Sequence, residues 1–389
     1  MVERAPSAAS VALGGLIALA VAVGIGRFVY TPILPFMAED LGLTQSQGGV
    51  IASANFLGYL LGALAASIAA LPGGRRRWFL GALVISALST AAMATTSSLA
   101  VFLALRFFGG AASALVLVFG SALVLDSLAA AGRTGLSAVH FAGVGVGIAV
   151  SAMVVSGLTV EGYGWRAHWL FSGALSLFAL AVVVWLVPRG ESREPAPTSA
   201  PGAWADRRLI ALIIAYGLFG FGYVITATFI STMVRLSPAI ASIEPVIWLV
   251  VGVAAIPSVA LWTWIGRRWG NDRSFALACL VEGLGVALSV LATSAFAIIA
   301  SAVLLGGTFM GITALGLIHG RSLATGDPRR IIALMTAAFG FGQMIGPSFA
   351  GIAYDLTASF TAPTLTAAAA LVIAAGLVGR HAGNRRLFR

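Results

Sequence analysis

Apolar residues run in long stretches over nearly the whole chain, each closed by a short cluster of glycine, proline, acidic or arginine residues. Crossing the hydrocarbon core of a bilayer takes about 20 helical residues at about 1.5 Å each. Twelve stretches of that order predict spans over 10–37, 45–71, 77–95, 98–125, 134–158, 167–187, 207–234, 243–265, 274–292, 295–319, 329–356 and 361–380. The first, from about Ser10 to Met37, is too long for a signal-peptide core and lacks a cleavage site, so it reads as a span. Short connections make sequence neighbours antiparallel. The longest connection, Pro188 to Asp206, is rich in proline, small residues and charges and reads as a flexible cytoplasmic linker. The expected fold class is therefore an all-α membrane protein with twelve transmembrane helices in two six-helix bundles, 1–187 and 207–389, joined by the linker 188–206.

The two halves repeat. Gly24-Ile25-Gly26-Arg27 followed by Met37 matches Gly220-Phe221-Gly222-Tyr223 followed by Met233 at an offset of 196 residues. Gly109-Gly110 matches Gly306-Gly307, Gly143-x-Gly145 matches Gly340-x-Gly342, and the turn Gly73 to Arg76 matches Gly270 to Arg273, all at 197. Six spans return the chain to its starting side, so both halves share one topology. They are then related by an axis along the membrane normal, with a solute handled at the midplane between them.

Composition agrees and removes other classes. The 389 residues are 59% hydrophobic and 9% charged, against about 25% charged in soluble domains, so a soluble chain could not cover its surface with solvated groups. The net charge of +10 comes from 23 basic residues, every one arginine. They sit between apolar stretches and not on a solvated face, which excludes a nucleic-acid surface. Nineteen fall on the side of the termini, Arg166 and Arg235 on the other, and Arg27 and Arg106 inside spans. The positive-inside bias predicts cytoplasmic termini in the cell inner membrane. Cys279 is the lone cysteine, in an apolar stretch, so neither a disulfide nor a metal is expected, and no cofactor. No P-loop points to ATP, and no nucleophile–base pair at membrane depth points to an enzyme. The expected surroundings are membrane lipids, a small and anionic solute, no nucleic acid, and a monomeric state.

Arg106-x-x-x-Gly110-x-x-x-Ala114 in span four, Gly342-x-x-x-Gly346-Pro347 in span eleven and Gly164-Trp165-Arg166 before span six are similar to motifs of the major facilitator superfamily. Gly24-Ile25-Gly26-Arg27-Phe28 with Pro32 and Pro35, then Ala54-Asn55-Phe56-Leu57-Gly58-Tyr59, resembles its YbfB/YjiJ branch. The resemblance covers the whole chain. It implies a secondary transporter working by alternating access, with Gly342, Gly346 and Pro347 in gating. The superfamily's loop between spans two and three normally carries an aspartate that helps lock the inner gate. Here Leu71-Pro72-Gly73-Gly74-Arg75-Arg76-Arg77 keeps the arginines, of which Arg75 and Arg76 are gate candidates, but has no acid. Ile265 to Gly270 lacks it too, and span five has Gly143-x-Gly145-x-Gly147 without a proline.

Arg27 is the most informative single residue. A charge at the centre of a span costs at least about 2.5–3.5 kcal/mol and is retained for function or for pairing inside the bundle. Two readings stand: an anchor for a carboxylate, matched bidentately by guanidinium, or a structural arginine capping carbonyls of a helix broken near Pro32. For Arg106 the resemblance implies a cavity-facing group with a part in coupling; the alternative is a donor that pins span four to span one. Glu282, midway along span nine, is either a protonatable coupling group or a neutral acid bonded to a neighbouring helix, on a span that the resemblance places at the periphery. Asp126 is a coupling candidate or a partner for Arg133 or another loop arginine, and His140 titrates near neutral pH or serves helix packing. Tyr30, Asn55, Tyr59, Tyr216, Tyr223 and Gln343 lie on spans that line the cavity in the family, and aromatic walls with a few polar anchors suit small organic ligands; Tyr30 also reads as an interface anchor. The rows Gly58-x-x-x-Gly62 and Gly143-x-x-x-Gly147 read as close helix packing. An organic anion is the favoured solute. The rivals are a proton-coupled exporter of hydrophobic drugs or metabolites using Glu282 or His140, and a membrane sensor, which the lack of a sizeable soluble domain disfavours.

Overall fold

The computed structural model describes residues 7–68, 74–187, 206–324 and 328–382. Arg4, the loop residues 71–73, nearly all of the linker and the last arginines lie outside the described residues. Among the described residues eleven helices are long and apolar enough to cross a membrane, and a bent helix pair counted as one span makes twelve. Span one is Ala8–Leu41, followed by α-helices Gln45–Ile68, Arg75–Ala92, Leu99–Ala130, Ser137–Val160 and Trp165–Leu186 for spans two to six. Span seven is Arg207–Arg235, span eight combines Glu244–Ala255 with Ser258–Trp269, and spans nine to twelve are Asn271–Leu291, Ala295–Leu323, Pro328–Thr357 and Thr361–Ala382. The chain is a multi-span membrane protein, and with twelve spans Ala8 and Ala382 lie on one face, the termini face.

Local chemistry sets the ends. Ser7 and Asp206 cap spans one and seven through their side-chain oxygens, on the amides of Ser10 (3.1 Å) and Arg208 (2.8 Å). Gly74 (φ 82°) and Gly270 (φ 90°) open spans three and nine in conformations that L side chains avoid, so the repeat reaches the backbone. Span eight is not the continuous rod expected over 243–265. It bends by 41° between Ala255 and Ser258, where Pro257 lacks an amide hydrogen and its ring crowds the preceding turn.

Each bundle packs the same way. Spans two and four, three and four, three and six, one and five, and one and six pair in the first; eight and ten, nine and ten, nine and twelve, seven and eleven, and seven and twelve pair in the second. The bundles meet through span two against span eleven and span five against span eight. Small residues set these distances. A side chain at Gly58 or Gly62 would strike the backbone of Phe107 and Ala111, and one at Gly143 or Gly147 the backbone of Leu16 and Ala20.

The two ends of the bundle interface differ. Span one is buried on every side from Ala18 to Pro35, and span seven from Gly222 to Val234. Nearer the termini face both keep exposed or half-exposed positions, at Leu13, Leu16 and Ile17 and at Ile210, Ile213 and Ile214. Cross-bundle polar contacts gather at the far face. Asp355 accepts from the Gln45 and Ser46 amides (3.1 and 3.0 Å), Ser348 donates to Ser53 (2.8 Å), and Thr31 and Ser156 donate to the carbonyls of Ala227 and Pro245 (each 2.7 Å).

Candidate functional site

Span one breaks at its middle, and the candidate site is built on the break. Ala8–Leu19 is α-helical, Ala20–Ile25 is a π-helical turn, and α-helix resumes at Tyr30. Gly24 and Gly26 weaken the helix, and Pro32, in the first turn of the second half, has no amide to offer the Phe28 carbonyl. The Thr31 amide bonds that carbonyl instead, at 3.2 Å. The carbonyls of Gly26 and Arg27 turn to Arg106, whose Nη1 and Nη2 donate to them at 3.0 and 2.9 Å. Asn55 in turn donates from Nδ2 to the Arg106 carbonyl at 2.9 Å, which ties span two to span four. Tyr30 lies under the Arg106 guanidinium, 4.9 Å from ring centre, and donates to the Gly48 carbonyl at 2.8 Å. Arg106, Asn55 and Tyr30 thus form one buried collar around the break.

Arg27 stands apart from that collar. It is 5% exposed, and its guanidinium lies over the rings of Tyr59 (4.3 Å), Phe56 (4.5 Å) and Phe28 (5.3 Å). The Tyr59 hydroxyl lies within electrostatic reach of it. Nε and Nη2 are buried with no hydrogen-bond partner, and no carboxylate pairs with it among the described residues. Those two nitrogens form one edge of the guanidinium, the edge that a carboxylate matches with two parallel bonds.

The second bundle closes the site with rings. Phe28 meets Trp248 (6.2 Å) and Phe309 (6.1 Å) across the interface. Phe309 stacks on Tyr223 at 5.6 Å, and Tyr223 lies parallel to Phe339 at 6.0 Å. Tyr216, Phe219 and Tyr223 share one face of span seven; Phe219 stacks on Tyr223, Tyr216 and Phe219 each stack on Phe339, and Tyr216 meets Phe219 at a tilt. Gln343 donates from its amide nitrogen to the Tyr223 hydroxyl, and its amide oxygen is buried without a partner. The structure therefore brings Arg27, Tyr59, Tyr216, Tyr223 and Gln343 into one region. Phe28, Phe56, Phe309, Phe339 and Trp248 are wall residues that the sequence reading did not single out. Phe28 and Phe56 adjoin Arg27 and Asn55 and were within reach of it; Phe309 and Phe339 are two of 22 phenylalanines with no local signal to mark them.

The other candidates lie elsewhere. Glu282 is fully buried within the second bundle, against Thr308 of span ten and within electrostatic reach of Tyr223. His140 is buried where span five packs on spans one and four, with Nε2 3.0 Å from the Ser121 hydroxyl. Asp126 pairs with Arg75 at 3.3 Å on the termini face, and Arg76 donates to the Val184 carbonyl at 3.0 Å. Gly342 and Gly346 let span eleven approach span seven at Gly217 and Val224, and the Pro347 carbonyl sits against Gly49 of span two. Among the described residues no cluster of three His, Cys, Asp or Glu side chains is placed to hold a metal.

Comparison with known proteins fits this geometry. Residues 19–379 match the family described as "Uncharacterised MFS-type transporter YbfB". A putative tartrate transporter of Agrobacterium vitis is 26% identical over 384 residues, covering 87% of this chain and 85% of its own. The drug efflux pump JefA of Mycobacterium tuberculosis is 31% identical over 168 residues, 42% of this chain and 32% of its own. The crystal structure of the nucleoside transporter NupG superposes with a TM-score of 0.70 over 96% of this chain and 98% of its own, at 16% identity, which speaks for the fold. Family and relatives are membrane transporters and not enzymes. The chain belongs to the YbfB-type family of the major facilitator superfamily.

Proposed function

We propose that this protein is a secondary transporter of a small organic anion, and that Arg27 is the anchor for its carboxylate. The observation that carries the reading is the unpartnered Nε–Nη2 edge of a buried guanidinium with which no acid pairs among the described residues. Leaving a charged group so placed is costly unless a mobile partner completes it. The relative named as a tartrate transporter, an anion carrier by that name, supports the same class. The bundles work by alternating access. In that reading the Asp355, Ser348, Thr31 and Ser156 contacts close the far face, and the exposed positions of spans one and seven near the termini face mark the side that opens. The arginine bias makes that face the cytoplasm of a cell with the protein in its inner membrane. The halves on either side of the linker 188–206 are the two moving bodies, in a monomer, with Gly342, Gly346 and Pro347 as the packing on which they rock and Arg75 with Asp126 at the inner rim.

The test is thermal stability of the purified protein against a panel of organic acids, with uptake into proteoliposomes for any acid that stabilises it. Arg27→Ala should keep wild-type helical content and lose stabilisation and uptake, by at least about tenfold, because one bidentate charge-assisted contact is removed. Undiminished uptake of a stabilising acid by Arg27→Ala would remove the anchor. A second reading rests on Glu282, a buried carboxyl near Tyr223, together with the efflux-pump relative: proton-coupled export of hydrophobic molecules. Glu282→Gln would then abolish pH-driven drug efflux while leaving Arg27-dependent acid binding untouched.

A further inference from the structure

The surroundings of Arg27 narrow the class of anion. This step rests on the anion reading above and deepens it. In the region of the unpartnered guanidinium edge the described side chains offer one such edge, the partnerless amide oxygens of Asn55 and Gln343, and ring faces. The second buried guanidinium, Arg106, has both Nη groups on the carbonyls of Gly26 and Arg27; only its Nε is without a partner, which leaves no two-nitrogen edge for a second carboxylate to match. Gln343 adds a single unpartnered amide oxygen from the opposite bundle. The rings against the Arg27 guanidinium are Phe28, Phe56 and Tyr59 of its own bundle; from the other bundle Phe309 meets Phe28, and behind it layer Tyr223 and Phe339. The last three lie nearly parallel, Phe309 to Tyr223 at 11° and Tyr223 to Phe339 at 6°, a flat layered geometry that a planar ring can join and a puckered one cannot.

A hydroxylated dicarboxylate would need two cationic sites and several hydrogen-bond partners, and would desolvate its hydroxyls against rings. A saturated monoacid satisfies the guanidinium but meets ring faces edge-on without stacking. We infer that the Arg27 site takes a planar aromatic monocarboxylate, its carboxylate on the Nε–Nη2 edge, its ring against the Phe309–Tyr223–Phe339 layer, and a polar ring atom or substituent toward the Gln343 amide. Wall and anchor come from opposite bundles, so the ligand bridges the two bodies that move.

Binding to the full-length protein in nanodiscs, measured by calorimetry, tests this with three probes: benzoate, cyclohexanecarboxylate and tartrate. The first two share charge and carbon count and differ in planarity. Benzoate is expected to bind about two- to tenfold more tightly than cyclohexanecarboxylate, the increment of ring stacking beyond area burial. Phe309→Leu and Phe339→Leu should each shrink that ratio toward one, while Arg27→Lys weakens both acids alike. The wild-type ratio alone decides the matter should either leucine variant fail to fold. Equal or tighter binding of cyclohexanecarboxylate overturns the aromatic class. Arg27-dependent binding of tartrate without benzoate overturns it too, yet leaves the anion reading standing. No binding of any acid, with Arg27→Ala indistinguishable from wild type, overturns both.

Discussion

The two bundles share a sequence repeat and a packing scheme, yet their central helices differ. Span one carries Gly24-Ile25-Gly26-Arg27 and breaks there; span seven carries Gly220-Phe221-Gly222-Tyr223 at the matching positions and runs unbroken from Arg207 to Arg235. Paired glycines are common to both, so glycine alone does not break the helix. The difference lies five and eight residues beyond Arg27 and Tyr223. Pro32 and Pro35 correspond to Thr228 and Ser231, which keep their amides in the helical ladder. The broken helix has carbonyls to serve and the intact one has none, and span four accordingly has Arg106 where span ten has Val303. The lesson is that a duplicated scaffold became asymmetric through one proline-induced demand for donors. That asymmetry put both buried guanidiniums in the first bundle and left ring faces to the second.

The largest expected effect tests that demand. Arg106→Ala should lower stability by about 3–5 kcal/mol, since two charge-assisted hydrogen bonds are worth about 1.5–3 kcal/mol each and their carbonyls would remain buried. The thermal midpoint in detergent would show it. Pro32→Ala restores an amide to span one and should soften the loss: the double variant is expected to be less destabilised than the sum of the singles by about 1 kcal/mol or more. Strict additivity would mean that the proline and the arginine are unrelated. Arg27→Ala, by contrast, removes a charge that has open donors, and should leave the midpoint within about 1 kcal/mol of wild type or above it.

A smaller effect separates charge from shape at Arg27. Lysine keeps the charge but is a point donor without the two-nitrogen edge. Arg27→Lys should therefore retain acid binding with a Kd weakened about tenfold, roughly 1.4 kcal/mol. A lysine variant as tight as wild type would show that the crevice needs only positive potential. In that case the collar and the crevice differ in occupancy but not in geometry.

Much of the scaffold was legible because bilayer physics writes itself in long apolar runs. The twelve runs, the repeat and the rarity of a charge such as Arg27 at mid-span are all local signals, and the pairing of span two with four and eight with ten follows the repeat. The break in span one was legible as one reading near Pro32, but which group serves its carbonyls was not. Its flanking glycines and prolines are visible, but the groups that stabilise it come from Arg106, 79 residues away from the carbonyl of Arg27. The far-face tie between Asp355 and the Gln45 amide spans 310 positions, and nothing near either residue announces the other. The ring wall was hidden for a different reason: phenylalanine in a span is ordinary, and only the fold decides which rings face Arg27. The bend at Pro257 was readable in principle and is a plain consequence of a proline inside a span.

The finest distinction falls on Tyr223, the residue that stands in the second bundle where Arg27 stands in the first. Tyr223→Phe keeps the stacks with Phe309 and Phe339 and deletes only the hydroxyl that accepts from Gln343. One neutral hydrogen bond contributes about 0.5–1.5 kcal/mol, and the freed Gln343 amide can rotate to recover part of it, so the midpoint should fall by less than about 1 kcal/mol. If the second bundle contributes ring faces and the first contributes charge, benzoate binding should change by no more than about threefold in this variant. A loss as large as that of Arg27→Ala would place the Tyr223 hydroxyl on the solute itself. The two matching positions would then be equal partners in holding it, and the asymmetry drawn from the broken helix would concern packing alone.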